Sequence, residues 1–179
     1  MTNRLIPAFT AVGALFLSGL GIALVFGLLA GGGAEPLLIV DPGPVVRWGI
    51  PVAKAFVHFG AALAVGSLMV AAFVLTRRSR AFSLSLTVAA WGAGLMTVAG
   101  AASAFLTFMA IYVEPVSIDQ RFGDLLWLYL QSTEIGRSWL ITVGLGAIVT
   151  VLSVVVRSFG GVFAAGVLSV AALWPLAEQ

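Results

Sequence analysis

The sequence predicts an all-α fold, namely a polytopic helical membrane bundle with about five transmembrane helices. Of its 179 residues, 61% are hydrophobic and only 9% are charged, whereas about 25% of the residues of a typical soluble domain are charged. The apolar residues form stretches of about 20 or more, the length needed to cross the hydrocarbon core. Because backbone groups in lipid must bond within their own segment, each stretch is expected to be an α-helix.

Five stretches meet the length requirement, and we treat residues 1–179 as a single transmembrane domain. In chain order the stretches cover residues 6–30, 48–75, 81–112, 138–156 and 159–176. The first has a basic start and is followed by small residues ("AGGGAEP"), as in a signal peptide. Its apolar run exceeds the roughly 7–15 residues of a signal-peptide core. We therefore expect an uncleaved helix, with a cleaved signal peptide as the alternative.

The placement of charge predicts the orientation of the bundle. Arginines without acidic neighbours precede span one and separate spans two from three and four from five: Arg4, Arg77, Arg78, Arg80 and Arg157. The acidic residues all lie on the opposite side: Glu35, Asp41, Glu114, Asp119, Asp124, Glu134 and Glu178. The positive-inside rule then places the N-terminus in the cytoplasm and the C-terminus outside. Four tryptophans near the outer boundary fit an aromatic belt: Trp48, Trp127, Trp139 and Trp174.

The segment 117–133 differs from the spans in composition. Its "IDQRFGDLLWLYLQST" mixes acidic, basic and aromatic residues with leucines. Such a mixture is typical of an amphipathic helix lying along a membrane interface. We expect part of the segment to lie along the outer interface, the alternative being a simple connection between spans.

Span two carries a stripe of basic side chains. Arg47, Lys54 and His58 follow at spacings of seven and four residues, which places them within about 40° on one helical face. At 1.5 Å per residue, His58 lies close to the middle of the membrane, where ionisable groups usually face a wet cavity or the bundle interior. The stripe predicts a polar, outward-facing vestibule with Lys54 and His58 at its floor. Alternatively, these side chains snorkel or bond internally and only stabilise the bundle.

Two further charged residues stand at the start of span four. Glu134 and Arg137 are three residues apart on one face, and Ser132 or Thr133 offers a helix N-cap. An ion pair between Glu134 and Arg137 would account for the presence of both charged side chains without a bound ligand. Our preferred expectation is that Glu134 meets Lys54 or Arg47 across the bundle.

The sequence limits the cofactors and the chemistry. There is no cysteine, which excludes thiolate metal sites, and a single histidine excludes bis-histidine haem ligation within this chain alone. Imidazole and thioether groups suit copper, so His58 is the candidate metal contact, although membrane methionines are mostly packing residues. The methionines are Met1, Met69, Met96 and Met109. Catalytic motifs are missing and no extended basic cluster is present, so neither an enzyme nor a nucleic-acid partner is expected.

Two phrases of the sequence resemble the actinobacterial copper-resistance protein D (CopD) family. "DPGPVVRWGIPVAKAFVHFGAALAVGSLMVAAFVL" is similar to an early region of that family, and "TEIGRSWLITVGLGAIVTVL" to a later helix of the same region. The resemblance extends from about Asp41 to the end of the chain. The positions that match the pattern are Arg47, Gly49, Pro51, Glu134, Gly136 and Arg137. Lys54 stands where relatives often have arginine, which keeps the charge but not the bidentate geometry.

The resemblance implies a multi-pass plasma-membrane protein connected with copper transport, copper resistance or copper delivery for cytochrome oxidase assembly. Family members are often fused to a C-terminal oxidase assembly domain of the CtaG type and continue through further helices. This chain therefore resembles the N-terminal part of a longer protein, and His58 would need additional copper ligands from elsewhere. The alternative is a non-catalytic accessory subunit packed on a larger membrane complex, such as a respiratory oxidase supercomplex. Its partners would be the lipid bilayer and either further helices of the same protein or respiratory subunits.

Overall fold

The computed structural model describes residues 5–31, 41–112, 117, 119–155 and 158–177. Over these residues the secondary structure is helical and no strand is present, which confirms the all-α prediction. The helices are α1 (Leu5–Ala30), α2 (Pro44–Phe73), α3 (Arg80–Tyr112), α4 (Gln120–Ser132), α5 (Glu134–Val155), α6 (Phe159–Ala171) and α7 (Trp174–Ala177).

Three helices of the described chain are long and apolar enough to cross a membrane, namely α2, α3 and α5. They coincide with predicted spans two, three and four. The first predicted span corresponds to α1, a helix of 26 residues. The fifth is divided, because α6 ends after 13 residues and a turn at Ala172 and Leu173 precedes α7. Thirteen residues rise only about 20 Å, less than the roughly 30 Å hydrocarbon core.

The start of α2 is set by a short turn. Gly43 has a φ of 91°, in the left-handed region that favours glycine, and Pro44 follows as the first helical residue. The Asp41 carboxylate accepts a hydrogen bond from the Gly43 amide at 3.0 Å. Within α2, Pro51 lacks an N–H group, so the helix provides no donor for the carbonyl of Arg47.

The core is built on a close crossing of α2 and α3. A Cβ atom at Gly60 would lie 2.6 Å from the Gly92 carbonyl oxygen, and one at Gly92 would lie 2.7 Å from the Ala64 amide nitrogen. The two backbones are therefore in contact, as small residues at four-residue spacing allow. We call this contact the glycine crossing. A second small-residue pair in α2, Ala62 and Gly66, is exposed instead.

Helix α5 packs against the other side of α3, again through glycines. Gly146 lies against the Thr97 hydroxyl, with a hypothetical Cβ 2.6 Å from its oxygen, and Gly100 lies against Val143. These contacts run in opposite chain directions, so α3 and α5 are antiparallel. A hydrogen bond of 2.7 Å from the Ser85 hydroxyl to the Ser67 carbonyl joins α3 to α2.

Candidate functional site

The two ends of the bundle carry different charges. The connection between α2 and α3 holds Arg77 and Arg78, with Arg80 at the start of α3, and we call this the arginine end. The opposite end comprises the start of α2, the end of α3, α4 and the start of α5. Its described acidic residues are Asp41, Asp119, Asp124 and Glu134, and we call it the acidic end. Among the described residues, the acidic side chains thus lie at one end of the bundle, whereas basic side chains occur at both ends.

An aromatic cluster holds α4 against α3 at the acidic end. The Phe108 ring centroid lies 5.4 Å from that of Phe122 in an edge-to-face arrangement, and 5.7 Å from that of Tyr129. The Tyr112 ring lies 4.9 Å from Phe108 and 6.4 Å from Tyr129. Such pairs contribute about 0.5–1.5 kcal/mol each beyond the area they bury. They fix α4, whose amphipathic character was predicted, over the end of α3.

Buried polar atoms without a hydrogen-bond partner gather at this end. In the part of the chain that the structure describes, six residues have such atoms, and five of them lie here: Arg47, Ser103, Thr107, Tyr129 and Trp139. The sixth is Ser153, towards the arginine end. Burying a polar group without a partner costs free energy, and buried polar groups normally have protein or water partners. The acidic end therefore has the capacity to bind ordered water or a ligand with acceptor atoms.

Most of these groups are hydrogen-bond donors. The Arg47 guanidinium and the Trp139 indole can only donate, while hydroxyl groups can donate or accept. Burial raises the pKa of Tyr129 to about 12, so its phenol is neutral and keeps its proton at ordinary pH. The preferred partner is therefore an acceptor such as a carbonyl, a carboxylate or a water oxygen.

Arg47 has a carboxylate partner close in sequence. Its Nε atom lies 3.5 Å from the Asp41 carboxylate, and the two side chains are 15% and 36% exposed. The expected partner across the bundle was Glu134, which is exposed at the start of α5. Within the described residues, the carboxylate paired with Arg47 is that of Asp41, three residues before the start of α2, and not that of Glu134. The expected pairing of Glu134 with Lys54 stays a prediction.

The three basic side chains of α2 lie in different environments. Arg47 and Lys54 are half-buried, whereas His58 is exposed. His58 stands in the middle of α2 and two residues from Gly60, so it points away from the glycine crossing. The structure thus brings Arg47 and Lys54 to the buried side of the acidic end and leaves His58 on the outer surface of the bundle.

The remaining predicted residues form the junction between α4 and α5. Glu134 and Arg137 are both exposed on the first turn of α5. The Thr133 hydroxyl accepts a hydrogen bond from the Gly136 amide at 3.0 Å, so Thr133 is the helix cap, one of the two predicted. Gly136 packs against the Tyr129 carbonyl, which makes the turn between the two helices tight.

The described methionines lie in different environments. Met96 is 2% exposed and packs in the core against Gly146, while Met69 is 46% exposed. Met109 is half-buried, and Met1, Glu35, Glu114 and Glu178 lie outside the described residues. No group of three or more histidine, cysteine, aspartate or glutamate side chains with metal-binding geometry occurs in the described ranges.

Sequence reasoning missed two features of this end. The sequence predicts Trp139 in the aromatic belt, but this side chain is 1% exposed and packs inside, whereas Trp127 and Trp174 are 56% and 76% exposed. The sequence also predicts Asp41 only as one of the residues of the acidic side and not as the partner of Arg47. Its position two residues before a glycine that precedes a helix start is the signal that could have indicated a turn-forming carboxylate.

Comparison of the chain with protein-family models, with curated proteins and with solved structures finds no match.

Proposed function

We propose that the chain is a multi-pass plasma-membrane protein that takes part in copper handling. In this proposal it has about five spans, with the N-terminus in the cytoplasm and the C-terminus outside. Copper is its cargo, either transported or delivered for oxidase assembly. The resemblance to the CopD family supports the copper role. The single structural observation that carries the proposal is the exposure of His58 at the middle of α2.

The His58 imidazole, on the outer surface of the bundle and near the predicted middle of the membrane, needs a polar or metal partner. Ionisable side chains at the centre of a membrane are costly when they face lipid, and such residues mark ion pathways and other functional sites. Imidazole is also a suitable copper ligand. We infer that His58 supplies one ligand from the outer face of α2 and that the other ligands come from further helices or from another subunit.

The acidic end supplies the entry to such a site. Arg47, Lys54, Glu134 and Arg137 lie at or near this end, and buried donor groups lie among them. Buried donors of this kind favour bound water, because water satisfies polar groups that the protein leaves without partners. In the proposal these residues organise a wet, polar, outward-facing vestibule.

A second function is favoured by a different observation. The described residues contain no cluster of metal ligands, and His58 lies on the same face of α2 as the exposed Ala62 and Met69, four and eleven residues further on. A non-catalytic accessory subunit would use this face to contact a larger membrane complex, such as a respiratory oxidase. His58 would then bond to a partner group, and the charges at the acidic end would only fix the geometry.

Metal analysis of the purified protein separates the two functions. The protein is extracted in mild detergent, its copper content is measured by mass spectrometry, and co-purifying proteins are identified in the same sample. The copper role predicts roughly stoichiometric copper that is lost in His58→Ala. Met69→Leu, which changes another exposed side chain of α2, serves as the control and should keep the metal. Absence of copper together with attached respiratory subunits would exclude the copper role and support the accessory one.

A further inference from the structure

A groove lies between α3 and α5 near the arginine end. It has a volume of about 550 Å³, which is in the usual range of about 300–1,000 Å³ for small-molecule sites. One part of its lining is apolar and includes Leu86, Ala90 and Trp91; another part carries hydroxyl groups, among them Ser153. Arg77, from the connection between α2 and α3, also lines the groove.

The groove follows the line along which α3 and α5 pack against each other. Gly94 of α3 lies next to Thr150 of α5, with a hypothetical Cβ 3.9 Å from its methyl group. From this contact towards the arginine end, the groove is lined by Ala90 and Thr87 of α3 and by Ser153 and Val154 of α5. The groove is open along its side, where Trp91 is 77% exposed.

A buried hydroxyl group in the groove has no partner among the residues that the structure describes. Ser153 is 5% exposed, and its Oγ atom makes no hydrogen bond to any of them. Two other hydroxyls of the lining bond within their own helices: Thr87 donates to the Ser83 carbonyl, and Thr150 donates to the Gly146 carbonyl. Ser153 is therefore a donor that an acceptor on a bound molecule would satisfy.

The charge around the groove is positive. Arg77, Arg78 and Arg80 lie within four consecutive positions, and the connection from Val74 to Ser79 contains no acidic residue. Arginine groups bind phosphate through charge-assisted hydrogen bonds, and basic pockets between transmembrane helices bind anionic lipid headgroups. An apolar groove with a cation at one end and a free donor inside matches the order of groups in a phospholipid.

The geometry points to a binding site for one anionic phospholipid in this groove. The headgroup phosphate lies at Arg77, an ester carbonyl accepts a hydrogen bond from the Ser153 hydroxyl, and an acyl chain runs past Trp91 towards Gly94. The site is independent of the proposed copper role, because it lies at the opposite end of the bundle from Arg47.

Native mass spectrometry of the full-length protein in detergent tests the site. Phosphatidylglycerol is added and compared with phosphatidylcholine, which has the same phosphate and ester groups but no net charge. We expect one phosphatidylglycerol to be retained in preference to phosphatidylcholine. Arg77→Gln should weaken its retention about fivefold. Gly94→Leu, which fills the groove, should abolish retention, while Arg78→Gln, an exposed arginine outside the lining, should leave it within twofold.

Three results would overturn the proposal. The first is equal retention of the two lipids, and the second is a loss in Arg78→Gln as large as in Arg77→Gln. The third is competition by soluble glycerol 3-phosphate, which would indicate an anion site without a place for the acyl chain. The thermal midpoint of each variant in detergent, measured without added lipid, identifies a variant that fails to fold, and Ser153→Ala provides a milder second test with an expected weakening of a few fold.

Discussion

At the glycine crossing, α2 and α3 touch through their backbones, while at the acidic end the same helices carry large and polar side chains. The hydroxyl groups show the contrast most directly. Thr97, beside the crossing, donates to the Ala93 carbonyl at 2.8 Å. Ser103 and Thr107, one and a half to three turns further along the same helix, have buried oxygens with no hydrogen-bond partner in the described part of the chain.

The difference indicates that the two regions are specified by different interactions. A hydroxyl that bonds to its own helix needs nothing from outside, so the region around Thr97 is complete when its helices have packed. A buried hydroxyl without such a bond needs water or a ligand. The crossing is therefore expected to be dry and rigid, and the acidic end to be hydrated or occupied.

The largest loss in free energy of unfolding is expected from a substitution at the glycine crossing. Gly60→Ala places a methyl group 2.6 Å from the Gly92 carbonyl oxygen and 2.7 Å from the Met96 amide nitrogen, and neither backbone group can rotate away. Overpacking of this kind costs typically 1–3 kcal/mol and occasionally more, and we expect the upper part of that range. Thermal or denaturant unfolding in detergent measures the change. Gly66→Ala, where the added atom meets nothing within 4 Å, is the control and should stay within about 0.5 kcal/mol.

A smaller effect is expected from removing the carboxylate at the acidic end. Asp41→Ala leaves the Arg47 guanidinium without its charged partner, and we expect a loss of about 1 kcal/mol, because the pair is partly exposed. The matched control is Asp124→Ala, which removes another exposed carboxylate of the same end. If both variants unfold alike, the Arg47 pair contributes nothing specific.

The hydration of the acidic end is tested by Tyr129→Phe. When bound water satisfies the phenol hydroxyl, its removal should cost about 0.5–1 kcal/mol. A variant as stable as the original, or more stable, would show that this end is dry like the crossing. Thr97→Val, which removes a hydroxyl that is already bonded within its helix, gives the reference value for the dry region.

The smallest effect concerns the start of α4, outside the spans. The Asp119 carboxylate accepts hydrogen bonds from the Phe122 amide and the Ser117 hydroxyl. The hydrogen bond from the Phe122 amide contributes most to lowering the pKa of Asp119 below its ordinary value of 3.8. A lowered folded pKa stabilises the helix start above pH 3.8, and this contribution disappears as the pH falls through the folded pKa. Fluorescence of Trp127 should therefore change below pH 3.8. Asp119→Asn, which retains a capping side chain but cannot titrate, should lack that step.

The helices could be predicted largely from hydropathy, because α2, α3 and α5 are long apolar runs bounded by charged or turn-forming residues. The partner of Arg47 could not, since it depends on how the turn at Gly43 directs the Asp41 carboxylate. The environments of Trp139 and His58 could not be predicted from the sequence either. A tryptophan near the end of a span, such as Trp139, can face either lipid or the core. The exposure of His58 depends on which face of α2 packs against α3, and the Gly60–Gly92 contact determines that face, not the spacing of the charges in α2.

The glycine crossing also has a consequence for the order of assembly. It joins two helices that are neighbours in the chain and are separated only by the short connection from Val74 to Ser79. Both halves of the contact have therefore been synthesised once the ribosome has passed Tyr112, before any part of α5 exists. The α2–α3 hairpin is able to form during translation. Helix α5, which carries Gly146, then packs against α3 after the contact between α2 and α3 has formed.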